Sequence, residues 1–191
     1  MAEYGRAGTL MGKKILNVVL FQAAWFAAVL GTAHGTPWLG PLVMLPVLGI
    51  HLSLTDNRAG ELKLLAAAGI LGFFYDTALV SFGIFTPLQH LLPRPFSPPW
   101  MVCLWINFAA TLNVSMAWLR GHYLLAAVFG AVGGPLAYYS GAKLGATEAL
   151  PTSSGMLLLA LGWGMMTPLL VWLACACSNT ASGRKHQRRQ L

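Results

Sequence analysis

Apolar residues run almost without interruption through six stretches, 15–30, 38–54, 62–84, 100–119, 123–142 and 155–176, and polar residues gather between them. Most of these stretches reach the roughly 20 residues that a helix needs to cross ~30 Å of hydrocarbon; the first two are slightly short. Inside lipid a backbone must satisfy its own hydrogen bonds, and the strict alternation of barrel strands is absent, so the pattern predicts helices. Turn residues fill the joints: Gly35-Thr36-Pro37, Asp56-Asn57-Arg58-Ala59-Gly60, Arg120-Gly121 and Leu150-Pro151-Thr152. The expected architecture is all-α, a polytopic bundle of six transmembrane helices with short loops. The helical domain covers 15–176, between an N-terminal segment, 1–14, and a basic tail, 177–191.

Composition narrows the class. The chain is 57% hydrophobic and only 9% charged, against roughly 25% charged residues in ordinary soluble domains. A soluble globular enzyme, a disordered chain and a disulfide scaffold are excluded. Cys103, Cys175 and Cys177 all fall in apolar stretches and read as inert thiols.

The net charge of +7 reads as topology. Six spans put both termini on one side, with Arg6, Lys13, Lys14, Arg58, Lys63, Arg120, Arg184, Lys185, Arg188 and Arg189; Arg94 and Lys143 fall on the other. That asymmetry places both termini in the cytoplasm. Lysines before the first apolar run suit a signal peptide, but five further apolar segments follow, so the run reads as a retained first span. The basic tail is expected on anionic headgroups, at about 1 kcal/mol per basic residue. The expected partners are membrane lipids and a second membrane protein, with no nucleic acid. Trp38, Trp100, Trp118 and Trp172 stand where interfacial belt residues belong.

Asp76 is the one acidic residue inside a span. A carboxylate at that depth costs roughly 2.5–3.5 kcal/mol on insertion scales, so it should face the bundle interior. Ala68 and Gly72 precede it at four-residue spacing and let another helix approach. At ~1.5 Å per residue, Asn107, Tyr138, Trp25, Trp105 and Trp163 fall near its depth. One reading is a ligand pocket, with Asp76 as its charged or protonatable group, Asn107 and Tyr138 as partners, and the tryptophans as an apolar wall. The other is a neutral Asp76 that ties helices together through Asn107. Thr111 and Ser115 continue the Asn107 face at four-residue spacing. Gly130, Gly134 and Pro135 mark the fifth span for close packing with a kink. The proline-rich loop 86–99 reads as a lid or an interfacial anchor. Glu61 falls at a span end, and His51 reads as a satisfied interfacial histidine. No metal-ligand spacing, phosphate loop or nucleophile elbow occurs, so neither metal nor cofactor is expected.

Four runs appear in order: Phe21-Gln22-Ala23-Ala24-Trp25-Phe26 through Gly31, Leu71-Gly72-Phe73-Phe74-Tyr75-Asp76, Pro99-Trp100 through Asn113, and Gly130 through Tyr138. Together they resemble a bacterial inner-membrane family, the domain of unknown function 2878, over roughly the first 150 residues. The resemblance implies the bacterial inner membrane and a role near enzymes that modify membrane fatty acids, without an established activity. A looser fold-level likeness to six-helix binding subunits of vitamin transporters keeps a transport reading open. The leading expectation is a ligand-binding or accessory protein of envelope lipid metabolism. The rivals are a small transporter that uses Asp76 as its coupling group and, more weakly, an intramembrane lipid-modifying enzyme.

Overall fold

The computed structural model describes residues 2–89 and 91–187, with side chains for 9–89 and 91–178. Six α-helices follow in order: α1 Ala2–Ala33, α2 Leu39–Ser53, α3 Arg58–Ser81, α4 Pro99–Leu112, α5 Tyr123–Lys143 and α6 Ser153–Gln187. Among the described residues the β structure is confined to an isolated bridge between Pro87 and Thr147. Thr9–Ala33, Arg58–Ser81, Tyr123–Lys143 and Ser153–Ser178 are long and apolar enough to cross a membrane. At 15 and 14 residues, α2 and α4 are shorter apolar helices, each about 22 Å long or a little less at ~1.5 Å per residue. Of the six expected spans, four are thus long and apolar enough to cross a membrane, and the other two are shorter apolar helices packed among them.

Local chemistry sets the helix ends. The Asn57 side chain caps α3 by accepting from the Gly60 N–H at 3.1 Å, and Thr152 Oγ1 caps α6 through Gly155 N–H at 3.1 Å. Gly83 and Gly145, at φ of 66° and 90°, follow the ends of α3 and α5 in the left-handed region that favours glycine. The fourth span stops at Leu112, not 119. There Asn113 turns its amide to Glu61 and Ser115 bonds Asn17, so these side chains leave the helical path, and only a short 3-10 turn, Ala117–Leu119, follows.

Helix α4 is the hub. It packs on α1, α2, α3 and α6, while α5 lies mainly along α6. The first described turns of α1, at Lys13 and Asn17, and the later part of α6, at Cys177, lie at one end of the bundle, here the terminus end. At the opposite, far end, two connections are laced together. Leu88 N–H donates to Ala146 O and Glu148 N–H to Thr86 O, both at 2.9 Å, and Arg94 pairs with Glu148. The proline-rich loop folds back onto the helices: Phe96 stacks on Phe73 at 6.1 Å, and Ser97 N–H donates to Thr77 Oγ1 at 3.1 Å. Its Leu91, Leu92 and Phe96 remain exposed. The expected headgroup contacts of the tail residues Arg184, Lys185, Arg188 and Arg189 lie outside the described side chains.

Candidate functional site

On α3, Gly72 and Asp76 share one face at four-residue spacing; on α5, Gly134 and Tyr138 do the same. Between these faces lie two indoles, Trp105 from α4 and Trp163 from α6, stacked with centroids 4.4 Å apart and planes at 14°. The glycines make room for them. A Cβ built on Gly72 would stand 2.1 Å from Trp105 Cγ, and one on Gly134 would stand 2.1 Å from Trp163 Cγ. Gly130 seats Thr167 in the same manner, 2.2 Å from its Oγ1. Glycine, indole, indole and glycine thus form a single column through the middle of the bundle.

One turn above each glycine, polar atoms meet. Trp105 Nε1–H donates to Asp76 Oδ2 at 2.8 Å, and the Tyr138 hydroxyl donates to Asp76 Oδ1. Asp76 is fully buried, and each of its oxygens has a donor. Hydrogen bonds to a carboxylate are about twice as strong as neutral ones, and an apolar surrounding raises the cost of losing either. Phe85 from the far-end loop closes the site edge-on over the Tyr138 ring at 4.9 Å, and Tyr75 lies edge-on to Trp105 at 5.4 Å.

The other residues singled out at this depth divide between two sides of α4. Asn107 is a correction: its amide donates to Phe21 O on α1 at 2.9 Å, and Asp76 takes Trp105 in place of it. Asn107 lines a separate small cavity of about 50 Å³ with Lys13, Asn17 and His51. Trp25 and Thr111 face the Asp76 side, and the Thr111 hydroxyl is held by Phe108 O at 2.6 Å. Trp100, expected in the interfacial belt, is only 2% exposed.

These side chains form one wall of an elongated groove of about 950 Å³ between α1 and α5, floored by α4 and α6. Helices α1 and α5 converge at the far end, where a Cβ on Gly145 would lie 3.5 Å from Ala33 Cβ. Below that point they separate, and the rims Val18, Phe26, Phe129 and Leu136 are exposed. The lining is predominantly apolar, with Asp76 its one acidic and Lys143 its one basic side chain among the described residues.

A second buried polar cluster, at the terminus end, was not recognised from the sequence. His51 Nε2 lies 3.1 Å from Glu61 Oε2, Asn113 Nδ2 donates to Glu61 Oε1 at 2.5 Å, and Arg120 donates to Asn113 Oδ1. His51 and Glu61 are each 5% exposed. The available signal was positional: each stands about one turn inside its helix, on opposite sides of the short α2–α3 connection. Among the described residues no three His, Cys, Asp or Glu side chains group as a metal site would require.

The roles of Asp76 can be separated. Asn at 76 can accept from Trp105 through its oxygen and donate to Tyr138 once that hydroxyl turns, so Asp76→Asn should change unfolding free energy by less than about 1 kcal/mol. Asp76→Leu strands two donors at about 1–3 kcal/mol each. Thermal unfolding in detergent should show the second variant well below the first. Equal losses would mean that the paired hydrogen bonds do not carry the site's stability.

A family model described as a protein of unknown function (DUF2878) matches residues 14–169, and the chain belongs to that family. No curated protein and no solved structure matches it.

Proposed function

For this member of a family of unknown function, we propose a multi-pass protein of the bacterial inner membrane that binds a lipid chain in the groove between α1 and α5. It would act as a ligand-binding or accessory component of envelope lipid metabolism. The single observation that carries this reading is the groove itself. At about 950 Å³ it lies at the upper end of ordinary small-molecule sites. It is walled by exposed apolar side chains, with the Asp76–Tyr138–Trp105 cluster in its side. In this reading all six helices lie within the bilayer and both termini are cytoplasmic. Lys13, Lys14, Arg58, Lys63 and Arg120 then face the cytoplasm, leaving Arg94 and Lys143 at the far, outer end.

Gly133 offers a direct test. It lines the groove, and a Cβ there would meet only Phe129 Cε1, at 3.9 Å. A bulky residue can therefore fill the groove without disturbing the packing that Gly130 and Gly134 maintain. With a diazirine-bearing acyl lipid in nanodiscs, Gly133→Trp should lower photolabelling of α1 and α5 about tenfold, a loss near 1.4 kcal/mol, at an unchanged melting temperature. Undiminished labelling would overturn the reading.

A further inference from the structure

We infer that this groove is a slot closed at both ends that measures its lipid: it takes one straight acyl chain from an outer-leaflet lipid, with the chain tip against Met116, Trp118 and Phe129. The inference rests on the groove being a lipid site, and it adds which leaflet supplies the lipid and how long a chain fits. The connection between α4 and α5 crosses the terminus end of the groove. On one side Ser115 Oγ donates to Asn17 Oδ1 of α1 at 2.6 Å. On the other, the Trp118 ring lies edge-on to Phe129 of α5, with centroids 6.2 Å apart. Ser115, Met116, Trp118 and Phe129 all line the groove, so this segment is a bar laid from one rim to the other. The far end is closed where Gly145 approaches Ala33.

The two rims agree on the length of the slot. From Asn17 to Ala33 on α1, and from Phe129 to Gly145 on α5, the rise is about 24 Å, and the side chains at each end shorten the usable space to roughly 20 Å. One leaflet contributes about 15 Å of hydrocarbon, half of ~30 Å, and it does so with bent chains. The same chain held straight along helices reaches further, which is what a slot of this length accommodates. Position settles the leaflet. Asn17 stands about 6 Å inward of Lys13 along α1, so the bar lies within the hydrocarbon, and a chain from the cytoplasmic leaflet would have to climb over it. At the far end Lys143 stands in the last turn of α5. In the orientation proposed above, an outer headgroup there sits in water directly over its own chain. The chain enters sideways between the exposed rims Phe26 and Leu136. A chain too long for the slot must bend out by the same opening, which takes its tip away from the bar.

The test uses the full chain in nanodiscs doped with phosphatidylcholine that carries a diazirine at the tip of one acyl chain, of lauroyl, palmitoyl or behenoyl length. The lauroyl tip should label α5 near Gly133, well short of the bar, and the palmitoyl tip should label Met116, Trp118 and Phe129. The behenoyl tip should label those three about tenfold less than the palmitoyl tip, one decade in occupancy of that position. Trp118 is 50% exposed, so its truncation spares the core. Trp118→Ala should bring behenoyl labelling of Met116 and Phe129 up towards the palmitoyl level at an unchanged melting temperature, and Trp118→Phe should not. Palmitoyl tips found at residues 140–144 would mean entry from the cytoplasmic leaflet and overturn the inference. So would tip positions that ignore chain length, or a behenoyl pattern that Trp118→Ala leaves unchanged. If such labelling is still blocked by Gly133→Trp, the groove reading stands without the ruler. Labelling insensitive to Gly133→Trp would remove both.

Discussion

Replacing Gly134 with alanine is expected to lower the unfolding free energy by about 3 kcal/mol, at the top of the usual range for overpacking. The same change at the adjacent Gly133 is expected to raise it by up to about 1 kcal/mol. Alanine is the better helix former at both positions by roughly 0.8–1.0 kcal/mol, so propensity alone predicts two equal gains. Packing reverses one of them. The new methyl at 134 would enter the Trp163 ring at 2.1 Å from Cγ, whereas at 133 its nearest neighbour is 3.9 Å away. Trp163 cannot yield freely, because it is stacked on Trp105, which is itself seated on Gly72. Relief would have to tilt both indoles and draw the Trp105 N–H away from Asp76 Oδ2. Gly72→Ala should therefore produce a loss of similar size from the other end of the column. Thermal or denaturant unfolding of the four proteins in detergent measures this directly. A neutral Gly134→Ala would mean that the column is not continuous.

The contrast between neighbouring glycines shows where sequence reading stops. Gly130, Gly133 and Gly134 are equivalent as small residues in an apolar run. Which of them faces α6 and which faces the groove depends on helix rotation, and α5 is apolar nearly all round. Depth, by contrast, follows from counting residues, and it grouped Asp76 with Asn107, Tyr138, Trp105 and Trp163. The structure brings Asp76, Trp105, Tyr138 and Trp163 together and sends Asn107 to Phe21. Trp105 and Asn107 lie two positions apart on α4, about 200° around a helix of 3.6 residues per turn. Only one of them could face Asp76, and amide chemistry favoured the wrong one. The length of α4 was hidden for a similar reason. Hydrophobicity continues to Leu119, and the helix stops because Asn113 and Ser115 find partners on α3 and α1, which no local pattern records. The all-helical bundle was legible because apolar runs of such length can satisfy their backbones in few other ways.

The largest loss is expected at the terminus end. Glu61→Ala should destabilise the protein by about 2–6 kcal/mol, since it strands two buried donors, His51 Nε2–H and Asn113 Nδ2–H, at about 1–3 kcal/mol each. Glu61 accepts from Asn113 and lies against His51, while Asn113 in turn accepts from Arg120. Its loss would leave an imidazole and an amide without their partner and slacken the hold on a guanidinium whose Nε is already unpartnered. The contact also joins α2 to α3, and α2 otherwise packs on α1 and α4. Glu61→Gln should cost much less. Its oxygen still accepts from Asn113, and its amide can donate to His51 once the ring adopts the other tautomer. Replacing both residues, His51→Leu with Glu61→Leu, should recover the imidazole's share of the loss and leave the Asn113 amide without its acceptor. Unfolding of the single and double variants closes the cycle, and its coupling energy isolates the pair from general packing. Amide exchange in α2 should rise most in Glu61→Ala. If Glu61→Ala and Glu61→Gln lose equal stability, the hydrogen bonds of the Glu61 carboxyl are not what fastens α2 to the bundle, and its packing on α1 and α4 must hold it.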